Sequence, residues 1–178
     1  MKDTLRSPTE AIYCAADMNI KYIGLFLIFI VCTFFGSGLA LAEKRRIEQG
    51  EALRALIMHI SREIECFRTP LENIYSSFSS ETLEKNGFLQ KVRTEGFKST
   101  LEGERSIFCF GEKSFGALLN FAEFLGKSEY SDQSARCKYI LSVLDEELKT
   151  KREAYPKNRK MYSSLGILAG IMIVILLL

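Results

Sequence analysis

Residue types that could do chemistry are sparse in this chain. Its single histidine, His59, lies four positions before Glu63, a spacing that puts two side chains on one helical face and reads as an exposed i, i+4 pair. A catalytic dyad or a metal site would need a second histidine, and there is none. The acidic run Asp145, Glu146 and Glu147 could supply general acids, yet in its context reads as the solvated face of a helix. The five cysteines, Cys14, Cys32, Cys66, Cys109 and Cys137, are odd in number with no C-x-x-C and no close spacing. That pattern makes a poor disulfide framework and a poor zinc site, so they read as small buried hydrophobes. No G-x-x-x-x-G-K-[ST], G-x-G-x-x-G, H-E-x-x-H or G-x-S-x-G occurs. The residues point away from an enzyme, with no cofactor, metal or small-molecule substrate expected.

Two apolar stretches bracket the chain. Tyr22 to Ala42 is uncharged between Lys21 and Glu43, and Met161 to Leu178 is uncharged throughout. An eighteen-residue helix rises about 27 Å, close to the roughly 30 Å hydrocarbon core, so both are read as transmembrane helices. The sequence thus divides into an N-terminal tail 1–21, with Met18 as an alternative start, a span 22–42, a domain 43–160 and a span 161–178. The domain holds 21 of the 24 Lys and Arg and 19 of the 22 Asp and Glu, a balance that gives no sign of a nucleic-acid partner.

Basic residues flank the domain side of both spans: Lys44, Arg45 and Arg46 after the first, and Lys151, Arg152, Lys157, Arg159 and Lys160 before the second. No Lys or Arg follows the second span, which places the domain in the cytoplasm. A competing reading takes Ala40-Leu41-Ala42 as a signal-peptide cleavage site, leaving an extracytoplasmic binding module anchored by its tail. Lys44, Arg45 and Arg46, where a mature N-terminus would have to cross, count against it.

Within the domain, Leu53, Leu56, Ile57, Ile60, Ile64 and Phe67 predict an amphipathic helix continuing from the first span and ending at Arg68 before Pro70. Thr69, Pro70 and Glu72 predict a new helix with a T-x-x-E capping box, making a helix–helix corner. A short helix carries Phe88, Leu89 and Val92 between turns at Asn86-Gly87 and Gly96, while 94–105 shows no clear pattern. Ile107 to Gly126 predicts a phenylalanine-rich helix, either the core of a bundle or a contact surface, with Gly126 as its C-cap. A last domain helix from Ser131-Asp132 carries Ala135, Leu141, Leu144 and Leu148, and Pro156 is expected to kink or end it. The fold class is all-α, a helical bundle between two transmembrane helices. In the spans, Gly36 with Ala40, Gly38 with Ala42, and Gly166 with Gly170 have the small-x-x-x-small spacing that lets helix backbones approach closely.

Three pieces carry a family resemblance. They are REI followed by Thr69, Pro70 and Leu71; Leu125 and Gly126 before Ser131, Asp132 and Gln133; and KMY leading into LGILAG, Lys160 to Gly170. Their order between two spans resembles the stage III sporulation protein AB family from Met18 onward. Departures are the residues before Met18 and the stretch 94–105. The resemblance implies a non-enzymatic part of the channel-like assembly between mother cell and forespore in endospore-forming bacteria. Its soluble part would be similar to the helical platform proteins of type II secretion and type IV pilus machines. It also implies residence in the mother-cell membrane and, as partners, the other stage III sporulation proteins, including the cytoplasmic ATPase AA.

Overall fold

The computed structural model describes the backbone of residues 8–67, 69–127 and 129–177 and, from Tyr22 onward, their side chains except that of Tyr130. The described chain is helical with no strand: α1 Pro8–Phe67, α2 Leu71–Ser77, α3 Glu81–Lys85, α4 Phe88–Glu95, α5 Phe97–Gly103, a 3-10 turn Arg105–Ile107, α6 Glu112–Phe124 and α7 Tyr130–Leu177. It forms two compact units, a domain Ala42–Pro156 and an apolar unit made of the chain up to Leu41 and from Lys157. Helices α1 and α7 each contribute to both.

In the domain, the α1 stripe Leu53, Leu56, Ile57, Ile60 and Ile64 is buried, recurring every three or four residues as a helix facing a core requires. Phe67, expected to continue it, is 68% exposed. On α7 the buried stripe is Cys137, Ile140, Leu144 and Leu148, whereas Ala135 is exposed and Leu141 half-buried. Cys137 occupies an inward position that an apolar pattern restricted to aliphatics passes over.

The two stripes face each other antiparallel. Gly50 sits at a close approach, since a Cβ there would lie 3.0 Å from Leu148 Cδ2 and 3.1 Å from Cys109 Sγ. Polar pairs along the rim follow the same register: Glu51 with Arg152 at 2.5 Å, Arg54 with Asp145, and Glu65 with Lys138 at 2.9 Å. Surface pairs of this kind contribute little stability and serve to fix the alignment.

The corner after α1 departs from the capping box. Pro70, with ψ 142°, is the N-cap, and its carbonyl accepts the Ile74 N–H at 3.2 Å. Thr69 is therefore one residue too far out to cap, and its hydroxyl donates to the Glu63 carboxylate at 2.9 Å instead. Arg68, where the sequence reading ended the first helix, lies outside the described residues.

The phenylalanine-rich helix begins at Glu112 rather than Ile107. Gly111 is extended, and its N–H donates to Glu147 Oε1 at 2.6 Å, so the turn before α6 is held by α7. Phe108 and Phe110 reach the core from irregular backbone, Phe108 edge-on to Phe88 at 5.3 Å. Phe115, Leu118, Phe121 and Ala122 of α6 are buried, which makes the helix core; Phe124 is partly exposed under the Arg136 guanidinium.

The stretch 94–105 runs from the end of α4 through α5 to the start of the 3-10 turn, with Phe97 and Leu101 of α5 buried at i, i+4. Pro156 lies inside α7 and does not end it. Proline removes one N–H, the donor to the Arg152 carbonyl, and so long a helix survives that local loss. Helix α1 itself starts at Pro8, before the first apolar stretch.

Gly126 follows α6 in a type II turn: Leu125 has φ −61° and ψ 124°, Gly126 has φ 80°, and the Lys127 N–H closes it on the Phe124 carbonyl at 3.1 Å. Leu125, not Gly126, is the C-cap. A Cβ on Gly126 would lie 2.7 Å from Leu71 Cδ1. Gly126→Ala is therefore expected to destabilise the full chain in detergent by about 1–3 kcal/mol, combining backbone strain with the clash. Chemical denaturation checks it: adding Leu71→Ala is expected to relieve only the steric part relative to Leu71→Ala alone, and an unchanged midpoint for Gly126→Ala would contradict the geometry.

Candidate functional site

The residues with chemical potential are engaged structurally. His59 Nε2 lies 3.1 Å from Ser77 Oγ with its ring 5.4 Å from that of Phe78, while Glu63 is taken by Thr69, so the expected His59–Glu63 pair does not form. These partners come from α2 and the residues flanking it, and only its return toward α1 brings them near. Asp145 pairs with Arg54 and Glu147 holds Gly111; Asp145 and Glu146 are exposed and Glu147 half-buried. No group of three or more potential metal ligands occurs among the described residues.

Cys32, Cys66, Cys109 and Cys137 are free thiols, and Cys14 lies where side chains are not described. Only Cys137 is fully buried; Cys32 and Cys109 are half-buried and Cys66 is exposed, which corrects the reading of all five as buried hydrophobes. Burial pushes the Cys137 thiol up to about 11 against an opposing hydrogen bond with Ser61. It pushes Cys109 up to about 11 as well, with Glu147 adding to the effect.

The apolar unit contains the shortest Cβ-to-backbone approach among the described glycines. A Cβ on Gly36 would lie 2.6 Å from the Tyr162 carbonyl oxygen and 3.2 Å from Gly166 Cα. One on Gly166 would lie 2.9 Å from the Cys32 carbonyl oxygen, and one on Gly170 2.9 Å from Phe29 Cδ2. Gly36, Ala40, Gly166 and Gly170 are all buried in a unit whose other side chains are mostly exposed. Gly38 has nothing within 4 Å and Ala42 is exposed, so of the two small-residue patterns in the first stretch only Gly36 and Ala40 are enclosed. At these positions helix packing proceeds through backbone and small side chains, the arrangement that lets apolar helices associate in lipid.

In the domain, the structure joins two stretches far apart in sequence. Leu71 sits on Gly126, and with Leu125, Tyr75, Phe97 and Ala122 it lines a cleft of about 510 Å³. The Tyr75 hydroxyl is held well above the usual phenol range by burial. Gln133 is buried at the start of α7, its N–H on the Glu129 carbonyl at 2.9 Å. The sequence reading missed Arg93, whose Nε and Nη2 both donate to the Tyr75 carbonyl at 3.1 and 3.0 Å, pinning α4 to the end of α2. Only the isolated arginine in the last turn of a short helix hinted at it.

Two helices long and apolar enough to cross a membrane, each also supplying a core helix of an α-helical domain, define the class: an all-α protein with two candidate spans. More narrowly, the chain belongs to the stage III sporulation protein AB family, whose model matches residues 21–178 and so takes in both apolar stretches. It is 26% identical over 174 residues to stage III sporulation protein AB of Bacillus subtilis (strain 168), covering 89% of this chain and 99% of that protein. No solved structure matches the chain.

Thiol reactivity tests the environments described. In the native chain at pH 7.5, Cys66 is expected to react with a water-soluble maleimide at least about tenfold faster than Cys109 or Cys137, whose thiols are neutral far below pH 11. Peptide mapping over time reads the order, and comparable rates at all three would contradict the packing.

Proposed function

We propose that the protein is a non-enzymatic structural component of the secretion-like channel complex between mother cell and forespore, a membrane platform coupling that complex to the cytoplasmic ATPase, stage III sporulation protein AA. The observation that carries this reading is the glycine seam at Gly36, Gly166 and Gly170, in a chain whose family match spans both seam helices. Because α1 and α7 are each a single helix shared by the domain and the apolar unit, a load on the domain enters both seam helices together. The seam resists their separation, and the pair moves as one scaffold element.

The alternative of signal cleavage after Ala42 would remove Gly36 and strip Gly166 of its partner. It would also discard the α1 half of a paired unit, leaving the glycines of α7 with no packing role.

Substitutions that wedge the seam test the scaffold. Gly36→Leu and Gly166→Leu are each expected to lower recovery of the assembled complex and of heat-resistant spores by about tenfold or more, the consequence of losing some 1.4 kcal/mol of helix packing. The domain is expected to keep its helicity by circular dichroism. Gly38→Leu, in open space, is expected to leave both readouts unchanged. Normal complex recovery in the Gly36 and Gly166 variants would remove the seam from the mechanism, and normal sporulation after deletion of the gene would remove the functional reading itself.

A further inference from the structure

The described part of the apolar unit carries a cluster of positive charge at one edge. Lys157, Arg159 and Lys160 immediately precede Met161 on α7, all three are exposed, and none forms an ion pair with a described residue. No Asp or Glu occurs anywhere from Ala154 to Leu178, nor between Tyr22 and Ala42. Among its described side chains the unit therefore contains three cations and no carboxylate. Some basic residues of the domain do have carboxylates within reach, Lys44 pairing with Glu48 at 3.3 Å and Arg152 with Glu51 at 2.5 Å.

Helical geometry spreads the three charges around α7. Lys157 and Lys160, three apart, share a face, while Arg159 projects from the other side. With the apolar segment in the hydrocarbon, this turn lies at headgroup depth, where the long stems of Lys and Arg extend their charged ends to phosphates. Half-buried Tyr162 one residue into the stretch is placed for the same interface.

We propose that Lys157, Arg159 and Lys160 form an anionic-phospholipid site, recruiting lipids of the phosphatidylglycerol class around the start of the second apolar segment. The lipid supplies negative charge that the unit's described side chains do not, so the composition of the adjoining leaflet bears directly on how firmly α7 is seated. Each basic residue at this depth strengthens anionic-lipid binding by about fivefold, and the effect weakens with salt.

The test is native mass spectrometry of the full chain released from nanodiscs of equal phosphatidylcholine and phosphatidylglycerol. The expected result is a several-fold excess of phosphatidylglycerol among retained lipids. In Lys157→Gln, Arg159→Gln, Lys160→Gln the retained ratio is expected to fall to that of the bulk bilayer. Lys113→Gln, Lys149→Gln, which removes exposed domain charges, is expected to leave the excess in place. Circular dichroism in the same nanodiscs establishes that each variant is folded. Inorganic phosphate is expected to displace the lipid no more than sodium chloride of equal ionic strength, which separates a lipid site from a free-phosphate site. A bulk ratio in the unsubstituted chain, an excess that survives the triple substitution, or specific displacement by phosphate would overturn the proposal.

Discussion

The antiparallel contact between α1 and α7 in the domain is the constraint on which its other helices depend. Helices of five to eight residues, such as α2, α3, α4 and α5, are far below the length at which an isolated helix is stable in water. They persist because their apolar residues, Ile74, Leu83, Leu89 and Leu101 among them, are buried in the core cluster that includes the α1 and α7 stripes. Each such side chain gains about 1.5–3 kcal/mol on burial, far more than the rim ion pairs supply. Gly50 shows how tightly the stripes are drawn together: the loop carrying Cys109 and Phe110 fits against α1 only because that position has no side chain.

What was legible in the sequence is what periodicity encodes. The two apolar stretches, the α1 stripe and α4 between its glycine turns all follow from spacing along one helix. The start of α6, the failure of the Thr69 capping box and the partners of His59 depend on what another helix places nearby, and spacing within a segment carries no such information. Glu63 outcompetes the α2 N-terminus for Thr69, and Glu147 captures Gly111, each through a contact between elements. That Pro156 does not end α7 has a different reason. A single missing N–H is a local loss, and the rule that proline ends a helix holds least well inside a long helix whose neighbouring turns are intact.

The polar chemistry of the domain is turned inward, toward its own architecture. His59, Glu63, Arg93, Asp145 and Glu147 each hold one helix to another or fix a turn, and the same use of charge recurs along the α1–α7 rim. The apolar unit works by the opposite means, with close backbone approach at glycines and cations at its edge. Both features are in keeping with the structural role proposed for the protein within a sporulation family.

The platform reading stands or falls on which side of the membrane the domain occupies. Cys66 is exposed near the end of α1, which makes it the natural reporter in a Cys14→Ser, Cys32→Ser variant treated with a membrane-impermeant maleimide before and after denaturing lysis, with intact mass read on the same sample. The account predicts labelling only after lysis, with residues 22–42 retained in the mass. Labelling of Cys66 in intact cells, or a mass beginning at Glu43, would contradict it.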